Sequence, residues 1–221
     1  MNHRIAAGTA AGAALATLLA GCSAGPPRNR ADPAGALTLA RTELEKDTYR
    51  LTTALGTTVL MTGVVDPVTR NSETVWTRAR QDTTVRRIDG VNYVRFPPEQ
   101  AGGDDRKWET VRTPEGGGLA SFDASSILGS LATVAEPRWA DYDTVEGVID
   151  LTTFSESLGP SPAGIDPQPP RMVAFQADIE GRGRLAELRV TTASAVHAVT
   201  FSEFGTPVDV KVPPAADTYP D

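Results

Sequence analysis

The chain has one cysteine, Cys22, and two histidines, His3 and His197, among its 221 residues. An internal disulfide is therefore excluded, and a fold in an oxidising compartment must stand on its hydrophobic core. A zinc site takes three or four His, Cys or carboxylate ligands at suitable spacing. With His197 as the one histidine beyond the N-terminal region, that pattern is missing. A hydrolase triad needs a histidine beside an activated nucleophile, and no G-x-S-x-G elbow is present. Gly116-Gly117-Gly118 has no Lys-Ser/Thr after it, so it is not a phosphate loop. Asp104-Asp105 and the pair Asp141/Asp143 do not follow the calcium-loop order and read as solvated loop acids. His197, inside AVHAVTF, reads as an ordinary strand residue. Nothing singles out two carboxylates for acid–base work. The expectation is a protein that is not an enzyme, with no catalytic residue, metal or cofactor.

Positive charge is also short: 21 Lys and Arg face 28 Asp and Glu, for a formal charge of −7. An acidic surface argues against nucleic acid as a partner, and against a broad electrostatic hold on anionic lipid headgroups. Long apolar runs are scarce as well. The single one lies at the N terminus, where MNHR precedes IAAGTAAGAALATLLAG. This is a charged segment followed by an apolar stretch of secretory length. It is too short and too rich in Ala and Gly for a good membrane span.

The stretch ends in Leu19-Ala20-Gly21-Cys22, which matches the bacterial lipobox. In chains that carry this box the cysteine thiol receives a diacylglyceryl group, and the preceding signal is cut off. Residues 1–21 are therefore expected to be a lipoprotein signal peptide and Cys22 the acylated first residue. Two or more acyl chains anchor a protein stably. The expected location is the cell membrane, lipid-anchored on the extracytoplasmic side. Without residues 1–21 the chain has 200 residues, and because Arg4 leaves with them the formal charge becomes −8. That length suits one sizeable domain.

Residues 22–35, rich in Pro, Gly and charge, read as a flexible tether, and 36–221 as a single domain. ALTLARTELEKD (36–47) places Leu37, Ala40 and Leu44 at helical spacing. From Thr48 the composition turns to β-favouring residues. DTYRLTTALG, TTVLMTGVV, SETVWTRAR, TTVRRIDG, VNYVRF and KWETVR read as strands, with Asp66-Pro67 and Asp89-Gly90 as turns. SFDASSILGSLATVAEPRW reads as a helix over 123–136, capped by Asp123 and stopped by Pro137. DTVEGVIDLTTF returns to strand. SESLGPSPAGIDPQPP (155–170) reads as a long loop or lid. RMVAFQADIE, RLAELRVTT, AVHAVTFSEF and PVDVKVPP complete a set of roughly nine or ten strands with two helices. This is an α+β arrangement around an antiparallel sheet. By period two, Val173, Phe175, Ala177 and Ile179 share one face. So do Ala186, Leu188 and Val190, and Val199, Phe201, Ala195 and His197. Two helices could fill the face of such a sheet or leave an apolar cavity; the pattern itself is compatible with both.

The segments RRIDGVNYVRFP, KWETV, DTVEGVIDL, IEGRGRLAELRVTT and VTFSEFGTPVDVKVPPA follow one another in that order after the lipobox. This order resembles the actinobacterial lipoproteins of the LppX/LprG type, which share a half-barrel fold with the lipoprotein carrier LolA. The resemblance implies a strongly curved antiparallel sheet with a few helices across its concave face. It also implies a cavity between sheet and helices for the acyl chains of a lipid or glycolipid. The expected function is thus a membrane-anchored lipoprotein that binds, and possibly transfers, a lipid-like ligand. Ile127, Leu128, Leu131, Val173, Phe175, Leu188 and Val190 are the expected lining, with the 123–136 helix and the 155–170 loop beside the entrance. The rival reading is an envelope protein–protein interaction module with a filled core; protein partners are not specified by the sequence. An unrecognised hydrolase is the third.

Overall fold

The first and last strands of the domain lie side by side at the centre of one antiparallel sheet. The computed structural model describes residues 31–78, 81–98, 107–111, 128–129, 131–150 and 172–219. Helix α1 (Pro33–Leu44) comes first. Strands β1 (Tyr49–Leu55), β2 (Thr58–Asp66), β3 (Asn71–Arg78), β4 (Gln81–Ile88), β5 (Val91–Arg95) and β6 (Glu109–Val111) follow as a meander. A second meander is built from β7 (Ala135–Trp139), β8 (Thr144–Asp150), β9 (Met172–Ile179), β10 (Leu185–Thr191) and β11 (Val196–Ser202). Pairing of β1 with β11 joins the two halves into an 11-stranded sheet whose outer strands, β6 and β7, are not paired with each other. The sheet is a half-barrel.

Local chemistry accounts for the turns. Asp89 (φ 51°) and Gly90 (φ 82°) both take positive φ, as a two-residue hairpin loop demands. Between β2 and β3, Asp66 Oδ1 accepts from the amides of Val68 (3.0 Å) and Thr69 (3.2 Å), an Asx turn. Gly147 on β8 faces the ring of Phe175. A Cβ there would lie 2.8 Å from the Ala135 carbonyl oxygen and 3.0 Å from Phe175 Cε1, so only glycine lets β7, β8 and that ring approach so closely.

Helix α1 begins at Pro33, three residues earlier than its apolar spacing suggested and inside the stretch read as tether. The reason is its cap. Asp32 Oδ1 accepts from the Gly35 amide at 2.8 Å, and Pro33 takes the first helical position, where its missing N–H costs nothing. Asp32→Ala is expected to lower unfolding stability by about 1 kcal/mol, read as a shift of the urea midpoint; an unshifted midpoint would mean the cap does not hold α1.

Four expectations are corrected. The helix expected over 123–136 does not reach that far. Leu128 and Gly129 are helical, Leu131–Thr133 forms one 3-10 turn, and β7 starts at Ala135. Pro137 lies inside that strand rather than stopping a helix, which fits an edge strand because proline cannot donate to a ladder. PVDVKVPP (207–214) is not a strand: Pro207, Pro213 and Pro214 remove backbone donors, and the segment has no ladder. Eleven strands lie among the described residues. Ala186 also gives way to Leu185, because a bulge between Leu185 and Glu187 shifts the alternation and pairs Leu185 with Ile179. Residues 1–30, Asp104-Asp105, the Gly116–Gly118 run, Asp123, Ile127 and the 155–170 loop lie outside the described residues.

Past β11 the chain crosses the convex face as an irregular strap. Arg86 Nη1 donates to the Lys211 carbonyl at 3.2 Å. The Trp108 amide donates to the Asp217 carbonyl (2.7 Å), and the Tyr219 amide to the Trp108 carbonyl (2.9 Å). The Trp108 ring is buried, with the guanidinium groups of Arg86 and Arg95 4.6 and 5.1 Å from its centroid. The strap thus covers the free edge of the first meander.

Candidate ligand-binding face

Register fixes which side chains share the concave face. One unbroken row runs Thr83, Trp76, Met61, Thr53, Val199, Leu188, Ala177, Val145, Trp139, crossing from β4 to β7 through the central pair. The next row runs Leu55, His197, Val190, Phe175, Gly147. Across β1 and β8–β11 these rows are almost wholly apolar. Tyr49 and Phe201 add an edge-to-face pair with centroids 5.5 Å apart. Leu37, Ala40 and Leu44 on α1 are buried in the same cluster, and α1 packs on β10, β7 and the 3-10 turn.

The structure brings six of the seven expected lining residues together. Leu188 and Val190 on β10 lie beside Val173 and Phe175 on β9, and Leu128 and Leu131 close over them from the helical side. Val173 is partly buried; the other five are buried. Ile127 lies outside the described residues. Leu51, Met61, Val145 and Ile149 belong to the same cluster and were not among the expected lining. The even spacing of Leu51 from Tyr49, and of Ile149 from Val145, was the signal that could have added Leu51, Val145 and Ile149.

The other half of the concave face mixes polar with apolar side chains. Ser72, Arg87, Asn92 and Val111 are register partners across β3–β6, and Thr74, Val85, Val94 and Glu109 form the adjacent row. Asn92 is only 1% exposed. The face therefore divides into an apolar floor on β1 and β8–β11 and a mixed strip on β3–β5, where Ser72, Thr74, Arg87 and Asn92 bring hydroxyl, guanidinium and amide groups among Trp76, Val85 and Val94. His197 sits on the floor, half buried, between Leu55 and Val190; burial holds its pKa below the ordinary histidine value and favours the neutral ring. Among the described residues no group of three or more His, Cys, Asp or Glu could hold a metal ion, and no helix is long and apolar enough to cross a membrane. Asp141 and Asp143 are exposed in the β7–β8 turn.

One corner is tied by charge. Arg184 donates to Asp47 Oδ2 (2.8 Å) and Glu180 Oε1 (2.9 Å), and its guanidinium lies 4.0 Å from the Phe204 ring centroid. Burial alone would raise the Glu180 pKa. Hydrogen bonds from the Arg184 side chain and from the amides of Arg182 and Arg184, with the Arg184 charge, outweigh it and leave the pKa below the ordinary value of 4.5.

No family model and no curated protein matches the sequence. Solved structures do. The structure is similar to that of LprF from Mycobacterium bovis, with a TM-score of 0.54 and 13% identity, over 83% of this chain and 97% of that one. It is also similar to the Mycobacterium tuberculosis lipoprotein LppX, with a TM-score of 0.51 and 14% identity, over 82% and 99%. The fold is that of LprF and LppX. It is reached here by a sequence that shares few residues with either.

Proposed function

We propose that the chain is an exported lipoprotein, held by acylated Cys22 on the extracytoplasmic side of the cell membrane. In this reading it binds the acyl chains of a lipid or glycolipid against the concave face, without covalent chemistry, and passes the ligand on. The carrying observation is the division of that face. An apolar floor built around Leu188, Val190, Val173 and Phe175, under Leu128 and Leu131, suits acyl chains. The adjoining Ser72, Thr74, Arg87 and Asn92 suit a polar headgroup. Removing acyl surface from water at about 25 cal/mol per Å² supplies the affinity, and the few polar groups set orientation. The LppX/LprF fold and the Leu-Ala-Gly-Cys box support the same reading.

Native mass spectrometry of the mature protein purified from a lipid-containing cell tests it. A stoichiometric non-covalent adduct in the acyl-lipid mass range is expected, lost on denaturation and reduced in a folded Leu131→Asp variant. A mass without adduct that stays clean after incubation with envelope lipids would favour the interaction-module reading instead.

A further inference from the structure

At one end of the sheet the exposed apolar side chains stand close to charges; at the other, five neighbouring strands carry a stretch without any. The end carrying the turns at 45–48, 66–70, 89–90, 140–143, 180–184 and 203–205 holds Lys46, Asp47, Asp66, Arg70, Asp89, Asp141, Asp143, Glu180, Arg182 and Glu203. Its exposed apolar residues stand among charges: Val68 between Asp66 and Arg70, Tyr142 between Asp141 and Asp143. The opposite end differs across β2, β1, β11, β10 and the start of β9. No Asp, Glu, Lys or Arg occurs between Arg50 and Asp66, between Arg189 and Glu203, or from Met172 to Ala177. Leu55, Val59, Val196 and Met172 are exposed there, from 36% for Leu55 to 48% for Met172. They are neighbours in the fold. Val59 pairs with Ala54, Leu55 with His197, and the Gly56 amide bonds the Val196 carbonyl at 2.8 Å. Leu55 faces the concave side next to the Val190–Phe175 row, and the 3-10 turn carrying Leu131 sits at this same end.

We propose that this uncharged end docks on a lipid bilayer surface, with Leu55, Val59 and Val196 entering the headgroup–acyl boundary and Met172 at the margin. The inference rests on the lipid-binding reading above, and it places the route of lipid in and out at this end. Charge selects the occupant. A chain of net −8 without its first 21 residues is repelled overall by anionic headgroups, and an uncharged part of its surface is not. The tips are bounded by Asp150, register partner of Met172, and by Arg78 at the end of β3 and Asp82 on β4, residues of both charge signs that suit a zwitterionic lipid. The tether agrees. Residues 23–32 between the anchoring Cys22 and α1 span at most roughly 35 Å when fully extended, little more than the length of β2 at about 30 Å. The domain is therefore held within about one sheet length of the bilayer.

Single cysteines replacing Val59, Val196 and, at the charged end, Val68 report on this. Each is labelled with an environment-sensitive fluorophore in the mature acylated chain, where Cys22 is blocked, and reconstituted into phosphatidylcholine vesicles containing spin-labelled lipid. Quenching at positions 59 and 196 with position 68 unquenched is the expected result. Equal quenching at all three, or none, overturns the docking surface. The double variant Val59→Asp/Val196→Asp is expected to keep its bound lipid while delivering it more slowly to acceptor vesicles; unchanged delivery also overturns it. Lipid content of the same preparations separates the two ideas. Bound lipid with unquenched probes removes the docking surface alone. Quenched probes on a protein without lipid remove the lipid-binding reading alone.

Discussion

Phe175→Ala is expected to lower unfolding stability by about 3–5 kcal/mol. Phe175 is 1% exposed, and its ring fills the space left by Gly147 on the neighbouring strand. Truncation removes the ring from a row flanked by Val190 and Gly147, and strands held by ladder hydrogen bonds on both sides cannot collapse into the gap. The result is a cavity in the apolar floor rather than a local readjustment. Urea unfolding of delipidated protein reads the full loss. In lipid-loaded protein the loss is expected to be smaller, because an acyl chain can occupy the vacated volume, and binding to the native state alone stabilises it. A loss below about 1 kcal/mol in delipidated protein would place Phe175 in a region that repacks freely.

Arg184→Ala is expected to cost about 2 kcal/mol at neutral pH, through lost charged hydrogen bonds and lost packing, since the two carboxylates left behind remain partly solvated. The side chain of Arg184 is 9% exposed, bonded to Asp47 and Glu180 and stacked on Phe204. These contacts fix the loop from α1 to β1 against the β9–β10 turn. The effect depends on pH with a defined sign. The native pKa of Glu180 lies below its ordinary value of 4.5. Its ionised form therefore contributes stability that is present above that value and lost as pH falls through the native pKa. The gap between wild type and Arg184→Ala should narrow on acidification below 4.5. Glu180→Gln should flatten the acid limb of the wild-type stability curve. A gap that stays constant down to full protonation would assign the role of Arg184 to its packing on Phe204.

Strand identity and facing were legible where strict alternation ran along a backbone with its amide donors intact. Val173 to Ile179 on β9 and Val199 and Phe201 on β11 lie on the face their period-two pattern assigns. Legibility failed where a local rule was overridden by the sheet. Leu131 to Val134 carry helical spacing, yet the chain needs Ala135–Trp139 to pair with β8, and pairing took precedence over the local pattern. PVDVKVPP alternates well, but alternation does not supply the donors that Pro207, Pro213 and Pro214 lack. The bulge at Leu185 could not be read, because one extra residue leaves no mark in composition. The polar strip of Ser72, Arg87 and Asn92 escaped for another reason: the three residues come from three strands, and only the register places them in one row.

The seam between β1 and β11 sets an order of events for a chain that emerges N terminus first. Each meander is local and can pair as it appears, but residues 50–55 find their partners 197–202 only after nearly the whole domain has been delivered. The row from Thr83 to Trp139 crosses that seam, as does the ion pair of Arg50 with Glu203 at 2.9 Å. Until the seam zips, neither half has a complete concave face, and each exposes an unpaired strand edge of six or seven residues. Non-local closure of this kind is slow relative to hairpin formation. A newly made chain would therefore spend its most aggregation-prone interval as two finished halves awaiting one ladder, and its concave face is complete only when that ladder has closed.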